Sequence, residues 1–266
     1  MKISIITINR NNADGLKQTL ISVAKQISKD FEHIVIDGAS TDHSNEVIKQ
    51  FSHVAYWVSE PDTGIFGAMN KGIIRAKGEY CMFLNSGDYL ENSSIISTML
   101  SHLNGEDIVY GNLIKKSLTG KMKNFNYVGE ITLNRFVLAS LPHPASFIKT
   151  SLLKQLGLYR TDFCIVSDWA FFLEAIFKHG ASYKHVPVFV TVFPLGGMSS
   201  STNPTYKKIE FEEREKTWKD LFPYAYKEIF RLVEREQELN KVYQIPGVRF
   251  LMKYIHPLYK KFRYKE

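Results

Sequence analysis

The residues best equipped for chemistry in this chain follow its strands. Tyr80 to Leu84 is an unbroken apolar run, too short for a helix and rich in aromatics. A strand buried on both faces reads this way. It stops at Asn85-Ser86-Gly87-Asp88, which cannot extend a buried strand. Gly87 permits a sharp turn, and Asp88 offers a hard oxygen ligand of the kind Mg²⁺ or Mn²⁺ prefers. The same residues also suit a plain strand-to-helix turn with Asp88 as a cap. Three earlier strands end in the same way. Lys2 to Ile8 closes in Thr7, Asn9, Arg10, Asn11 and Asn12, and Phe31 to Ile36 in Asp37-Gly38-Ala39-Ser40-Thr41-Asp42. Val54 to Val58 closes in Ser59-Glu60-Pro61-Asp62. Capping alone does not explain four coincident clusters, and a ligand site on their common edge does.

The elements between these clusters predict how they are gathered. Leu16, Leu20, Val23 and Ile27 recur at helical spacing over about 13–27. Further helices are predicted up to about Phe51 and from about Ile65 to Lys77. Strands alternating with helices argue a parallel sheet with right-handed crossovers, its C-terminal tips on one side. Beyond a helix near 93–103, a strand is expected at Asp107 to Tyr110. Residues 113 to 126 read as a hairpin turning at Thr119-Gly120, which makes the sheet mixed. A helix is expected over 132–140, a strand over 141–148 carrying His143 and Pro144, and a helix over 151–156. Val166-Ser167-Asp168-Trp169 opens an apolar helix to about Lys178, and 182–193 is the last strand. Pro194 to Pro204, rich in glycine and serine, is expected to be a mobile loop beside the site. From Pro204 to about Asn240 the chain reads as charge-rich helix, broken near Pro223. The expected division is an α/β domain over 1–203 and a helical extension over 204–266.

The 266 residues are 44% apolar and 13% aromatic, enough for a substantial core. No stretch approaches the roughly 18 apolar residues that span a bilayer, and the N-terminus lacks a signal-peptide layout. Cys81 and Cys164 give neither a disulfide framework nor metal-ligand spacing. A cytoplasmic location is the simplest expectation. The net charge of +7 is concentrated in residues 241–266, which hold seven basic residues and one acid. A nucleic-acid-binding domain would spread that charge over its folded face, so no nucleic-acid partner is expected.

GxGxxG after the first strand, GxxxxGK[ST], GxSxG and HExxH are all missing, which removes the usual dinucleotide, P-loop, serine-hydrolase and zincin readings. An acidic, Asn-rich edge suited to a ribose, a base and a metal-bridged diphosphate remains. At this point the chain resembles the family 2 glycosyltransferases of the GT-A fold. The matching pieces are Ser4-Ile5-Ile6-Thr7 with Asn11, Ile36 to Asp42, Ser59 to Phe66 and Ala68-Met69-Asn70-Lys71-Gly72. Phe83 to Asp88, His143-Pro144 and Ser167-Asp168-Trp169 complete the set, in unbroken order over about residues 1 to 195. The chain is similar to the branch that makes bacterial surface polysaccharides.

The resemblance implies a mixed, mostly parallel sheet flanked by helices, a nucleotide-sugar donor, a divalent metal (Mn²⁺ or Mg²⁺) and inversion at the anomeric carbon. By position it implies that Thr7 and Asn9 line the nucleotide pocket. Asp37 and Asp62 would accept hydrogen bonds from base and ribose. Asn70, Lys71, Asn85 and Ser86 are further donor-side candidates, and Asp88 would hold the metal on the diphosphate. Asn85 and Gly87 stand where many relatives carry aspartates, so modest metal affinity is implied. Gly67 replaces an acid common in close relatives and receives no role. Asp168 is implied as the catalytic base, although a helix N-cap would also suit its position. His143 is a candidate for the diphosphate or acceptor, or for a hydrogen-bonded core. Trp169 is a candidate for stacking on an acceptor ring, or for core packing.

A UDP-sugar is favoured over a GDP-sugar as donor. In the tail, Tyr243, Phe250, Tyr254, Tyr259, Phe262 and Tyr264 are interleaved with Arg249, Lys253, Lys260, Lys261, Arg263 and Lys265. Aromatics at headgroup level and cations against anionic lipid make an interfacial anchor. Peripheral attachment to the inner face of the cytoplasmic membrane, beside a saccharide or polyprenyl-diphosphate-linked acceptor, is therefore expected. Two other readings remain: a non-catalytic nucleotide-sugar-binding protein of the same fold, and a sugar nucleotidyltransferase. The second normally carries a glycine- and basic-rich loop after strand one, and Asn9 to Asp14 lacks it.

Overall fold

The computed structural model describes residues 1–127 and 130–243. The first half alternates strand and helix as expected. It runs β1 (Ile3–Asn9), α1 (Ala13–Ala24), β2 (Phe31–Asp37), α2 (Ser44–Lys49), β3 (Val54–Ser59), α3 (Ile65–Arg75) and β4 (Tyr80–Phe83). Then follow β5 (Tyr89–Leu90), α4 (Ile95–Leu100), β6 (Ile108–Lys116) and β7 (Met122–Phe125). The remainder is α5 (Leu133–Leu138), β8 (Ser146–Lys149), α6 (Thr150–Gln155), α7 (Ser167–Phe177), β9 (Tyr183–Pro194), α8 (Pro204–Leu221) and α9 (Tyr226–Tyr243).

The strands form one sheet in the order β3-β2-β1-β4-β8-β6-β9-β5, with β7 added on β6. β3, β2, β1 and β4 run parallel, so their C-terminal tips share an edge. β8 joins β4 antiparallel, and the β6–β7 hairpin pairs Leu113 with Phe125 and Lys116 with Met122. The sheet is therefore mixed, as the hairpin signal requires. One apolar layer joins Ile3, Ile5, Tyr80, Met82 and Leu84 to Met99, Phe147 and Val190. A second packs Leu16 and Leu20 of α1 on Val35, Val47 and Ile48. Burying each such side chain contributes about 1.5–3 kcal/mol.

Several elements differ from the sequence reading for local reasons. β6 continues past Tyr110, the expected end of that strand, and shifts register against β9 at Gly111-Asn112. A Cβ at Gly111 would collide with Val190, so only glycine allows that approach. The expected strand over 141–148 begins only at Ser146, because His143–Ala145 forms a 3₁₀ turn. Pro144 has no N–H to give a ladder. α1 ends at Ala24, leaving Ile27 70% exposed.

Residues divide into two compact units. The first is Met1–Glu130 with Ser140–Thr217, and it holds the whole sheet. It thus takes in most of α8, beyond the boundary expected at residue 203. The second is Ile131–Ala139 with Trp218–Glu266, in which α5 packs on α9 and Trp218 meets Phe222 and Phe230 edge-on or tilted. The basic aromatic segment from Arg249 to Lys265 lies outside the described residues. Among the described residues no helix is long and apolar enough to cross a membrane.

Candidate active site

Beyond the tips of β1 and β4 lies a cleft of about 750 Å³. It is lined by Asn85 to Asp88, by Phe66 and Met69 of α3, by His143 and by Asp168. Leu113 and Lys115 of β6 and the segment from Phe193 to Met198 form its other wall. A nucleotide sugar fits a space of this size.

The loop after β4 is built by hydrogen bonds the apolar run cannot make. Ser86 N–H donates to the Ile8 carbonyl at 3.0 Å, and Gly87 turns with φ at 105°. The buried Thr19 hydroxyl donates to the Asp88 carbonyl at 2.7 Å and accepts Gly87 N–H at 3.0 Å. Asn12 caps α1 through its own side chain and also donates to the Ser86 carbonyl at 3.1 Å. Asp88 is 6% exposed, and burial pushes its carboxyl well above the usual carboxylate range despite a backbone bond from Asn85. Asn85 Oδ1 is buried with no hydrogen-bond partner. Two oxygens on one loop, one a carboxylate and the other orphaned, fit a hard divalent cation that takes its remaining ligands from a diphosphate. Among the described residues no group of three or more His, Cys, Asp or Glu side chains could hold a metal by itself.

Asp168 is the second residue of α7, and Val166 is the N-cap, so capping is not its role. Its side chain is 27% exposed and lines the cleft. His143 Nδ1 lies 4.0 Å from Asp168 Oδ2. The His143 ring stacks on Phe83 at 4.8 Å, and its Nε2 meets the Tyr159 hydroxyl at 2.9 Å. Burial lowers the imidazole's pKa more than the Asp168 charge raises it, so the ring is neutral at neutral pH. Tyr159, raised well above its ordinary value by burial and the Asp168 charge, keeps its proton. That proton suits Nε2, which leaves the imidazole N–H on Nδ1, facing the carboxylate.

The other predicted residues fall beneath or beside the cleft. Thr7 has no exposed surface and does not line the pocket as expected. Its hydroxyl donates to the Leu84 carbonyl at 2.7 Å and receives His33 Nε2 at 2.9 Å. Asn9 is 5% exposed and donates to Asp37 at 2.7 Å and Ser44 at 2.8 Å. Asp37 is fully buried and accepts from Asn9, from Ser40 twice and from Ser59. Burial raises its carboxyl, but these hydrogen bonds outweigh that and hold it below the ordinary value. Asp62 stands against Gly38, 3.1 Å from where a Cβ would be, so the tips of β2 and β3 do meet. Lys71 pairs with Asp62 at 2.6 Å and Glu60 at 2.7 Å. Asn70 exchanges two bonds with the Tyr159 backbone, 2.8 and 2.9 Å, and so fixes the tyrosine under His143.

Trp169 corrects the expectation of an acceptor-stacking ring. It is 2% exposed and lies under the Arg214 guanidinium, 4.6 Å from the ring centroid. Successive helical residues point about 100° apart, so Asp168 in the cleft sends its neighbour into the core. Thr19, Tyr159 and Glu213 are functional neighbours that the sequence reading missed. Thr19 sits in a helix and Glu213 in a charge-rich one, where neither type stands out. Glu213 binds the backbone just ahead of α7.

The model of glycosyl transferase family 2 matches residues 4–178. An uncharacterized glycosyltransferase of Mycobacterium tuberculosis is 36% identical over 187 residues, 65% of this chain and 68% of that protein. A PGL/p-HBAD biosynthesis glycosyltransferase of Mycobacterium bovis is 28% identical over 74% of this chain and 79% of its own. Staphylococcus aureus TarS in complex with UDP-GlcNAc is similar with a TM-score of 0.63 at 20% identity, over 79% of this chain and 64% of that one. The mannosyltransferase PcManGT of Pyrobaculum calidifontis, in complex with GDP-Man and Mn²⁺, is similar at 0.59 and 15%, over 97% and 80%. This chain thus spans less than two thirds of that TarS chain. Family model, curated relatives and sheet topology converge: the chain belongs to glycosyl transferase family 2, the glycosyltransferases, and carries their GT-A fold.

Proposed function

We propose that this protein transfers a sugar, with inversion, from a nucleoside-diphosphate sugar to a hydroxyl of a saccharide acceptor in surface polysaccharide synthesis. The observation that carries the reading is that Asp168 and Asp88 line one cleft. Asp168 takes the proton of the acceptor hydroxyl as its oxygen bonds to the anomeric carbon. The bond from that carbon to the diphosphate breaks, and its electron pair leaves with the nucleoside diphosphate. General-base help of this kind contributes about 10²–10⁴-fold. Asp88 and Asn85 Oδ1 would hold Mn²⁺ or Mg²⁺, which neutralises charge on the leaving phosphate when bound. Asp62, at the joined tips of β2 and β3, would receive the ribose, while the fully buried Asp37 corrects the expectation of a base contact and holds the loop through Ser40 and Ser59.

UDP-sugars are the first choice of donor, since TarS binds UDP-GlcNAc, and GDP-sugars the second, since PcManGT binds GDP-Man. A polyprenyl-diphosphate-linked acceptor at the inner membrane face suits the basic aromatic tail, where each cation near anionic lipid contributes about 1 kcal/mol. The alternative, a donor-binding protein without chemistry, is favoured by the lone carboxylate at Asp88. Hydrolysis of UDP-GlcNAc, UDP-glucose and GDP-mannose, with and without Mn²⁺, separates the two. Turnover that Asp168→Asn abolishes supports the transferase; binding without turnover supports the alternative. Equal partition of the full chain and a chain ending at Asn240 onto anionic vesicles would remove the membrane contact.

A further inference from the structure

Glu213 on α8 places its carboxylate against three consecutive backbone N–H groups ahead of α7. Oε1 accepts from Cys164 at 2.5 Å, and Oε2 accepts from Ile165 at 3.0 Å and Val166 at 3.1 Å. The residue is 9% exposed, and its bond from Val166 is buried. The start of a helix presents N–H groups that need acceptors, usually supplied by a local Ser, Thr, Asn or Asp. α7 has no such cap: Val166 stands at the N-cap position, and the Ser167 hydroxyl is buried without a partner. A first-turn acid such as Asp168 is drawn to the N-terminal end of its helix by the exposed N–H dipoles. Glu213 instead takes the N–H of the N-cap residue Val166 and those of the two residues before it, and the Asp168 carboxylate lines the cleft.

The surrounding contacts brace the same clamp. Arg214, next in sequence, lies over the Trp169 ring, and Lys216 bonds Asp162 at 2.8 Å just before the clamped segment. α8 also follows directly on the segment that forms the far wall of the cleft.

We propose that Glu213 is a positioning residue that holds Asp168 for base catalysis by fixing, from a distant helix, the backbone that leads into α7. The inference rests on the reading of Asp168 above. It is tested in the full chain with Glu213→Ala and Glu213→Gln, on whichever of UDP-GlcNAc, UDP-glucose and GDP-mannose is hydrolysed fastest. Displacing a reacting group by about an ångström costs on the order of 10²-fold, so Glu213→Ala should lower kcat about 10- to 100-fold. Donor KM should stay within about threefold if the clamp acts through the placement of Asp168. Glu213→Gln keeps one acceptor oxygen and should fall between the two. Adding Glu213→Ala to Asp168→Asn should cost nothing further, since residues acting as a unit are non-additive. Amide hydrogen exchange at Ile165 and Val166 should quicken in both Glu213 variants, while β4 stays protected.

Unchanged kcat in a folded variant overturns the proposal, as does additivity with Asp168→Asn or unchanged exchange at those amides. Parallel loss of kcat, donor affinity and thermal stability would make the residue merely structural and also overturns it. If Glu213→Ala fails to fold, Glu213→Gln carries the same readouts. If Asp168→Asn keeps full rate, the base assignment and this proposal fall together. If only the Glu213 variants keep it, the base assignment stands alone.

Discussion

His143 and Asp168 reach each other from different elements, ring nitrogen to carboxylate oxygen at 4.0 Å, with the Tyr159 hydroxyl fixed behind the ring. The imidazole is neutral, so it packs beside the carboxylate without offsetting its charge. His143→Phe should keep the stack on Phe83 but leave the Tyr159 hydroxyl unpaired. The unpaired group should cost about 1–3 kcal/mol of stability by urea unfolding. Steady-state kinetics should show kcat reduced with donor KM little changed.

Trp169 supports the core and not the acceptor. Trp169→Ala should lose about 3–5 kcal/mol in urea unfolding. Trp169→Phe should leave acceptor KM unaltered in a transfer assay, whereas a stacking residue would raise it.

Asp88 is the lone carboxylate of the cation candidate. Calorimetric titration of Mn²⁺ in the presence of UDP should show weaker binding for Asp88→Asn. Asn85→Asp adds a second anionic ligand and should bind Mn²⁺ roughly tenfold or more tightly, since charge count tunes such sites. Equal affinities in all three proteins would place the cation elsewhere.

Stability should fall in acid because of His33. The ring is fully buried, its Nε2 on Thr7 and its Nδ1 3.1 Å from His53, and burial with the His53 charge lowers its pKa to about 3. The unfolded chain protonates near 6.5 while the folded chain resists, so protons favour unfolding. Stability is full above about pH 6.5 and is lost progressively towards pH 3, by about 5 kcal/mol at 1.36 kcal/mol per pH unit. His33→Gln preserves one donor and one acceptor without titrating. Urea midpoints between pH 7 and pH 4 should therefore slope less steeply for that variant.

Much of this molecule was legible along the chain because its signals are local. Apolar runs closing in polar tips predicted the four parallel strands, and the Thr119-Gly120 turn predicted the hairpin. The motif around Asp88 and the Ser167-Asp168-Trp169 triplet named the two carboxylates that do line the cleft. Burial and partnership are not local, and tertiary structure alone decided them. It put the Thr7 hydroxyl on Leu84 and His33, turned Trp169 inward beside an outward Asp168, and set His143 in a 3₁₀ turn against Tyr159. It also brought Glu213 onto the N–H groups of Cys164 to Val166. Spacing along a strand or helix tells which face a residue occupies, but not which distant group fills the space opposite.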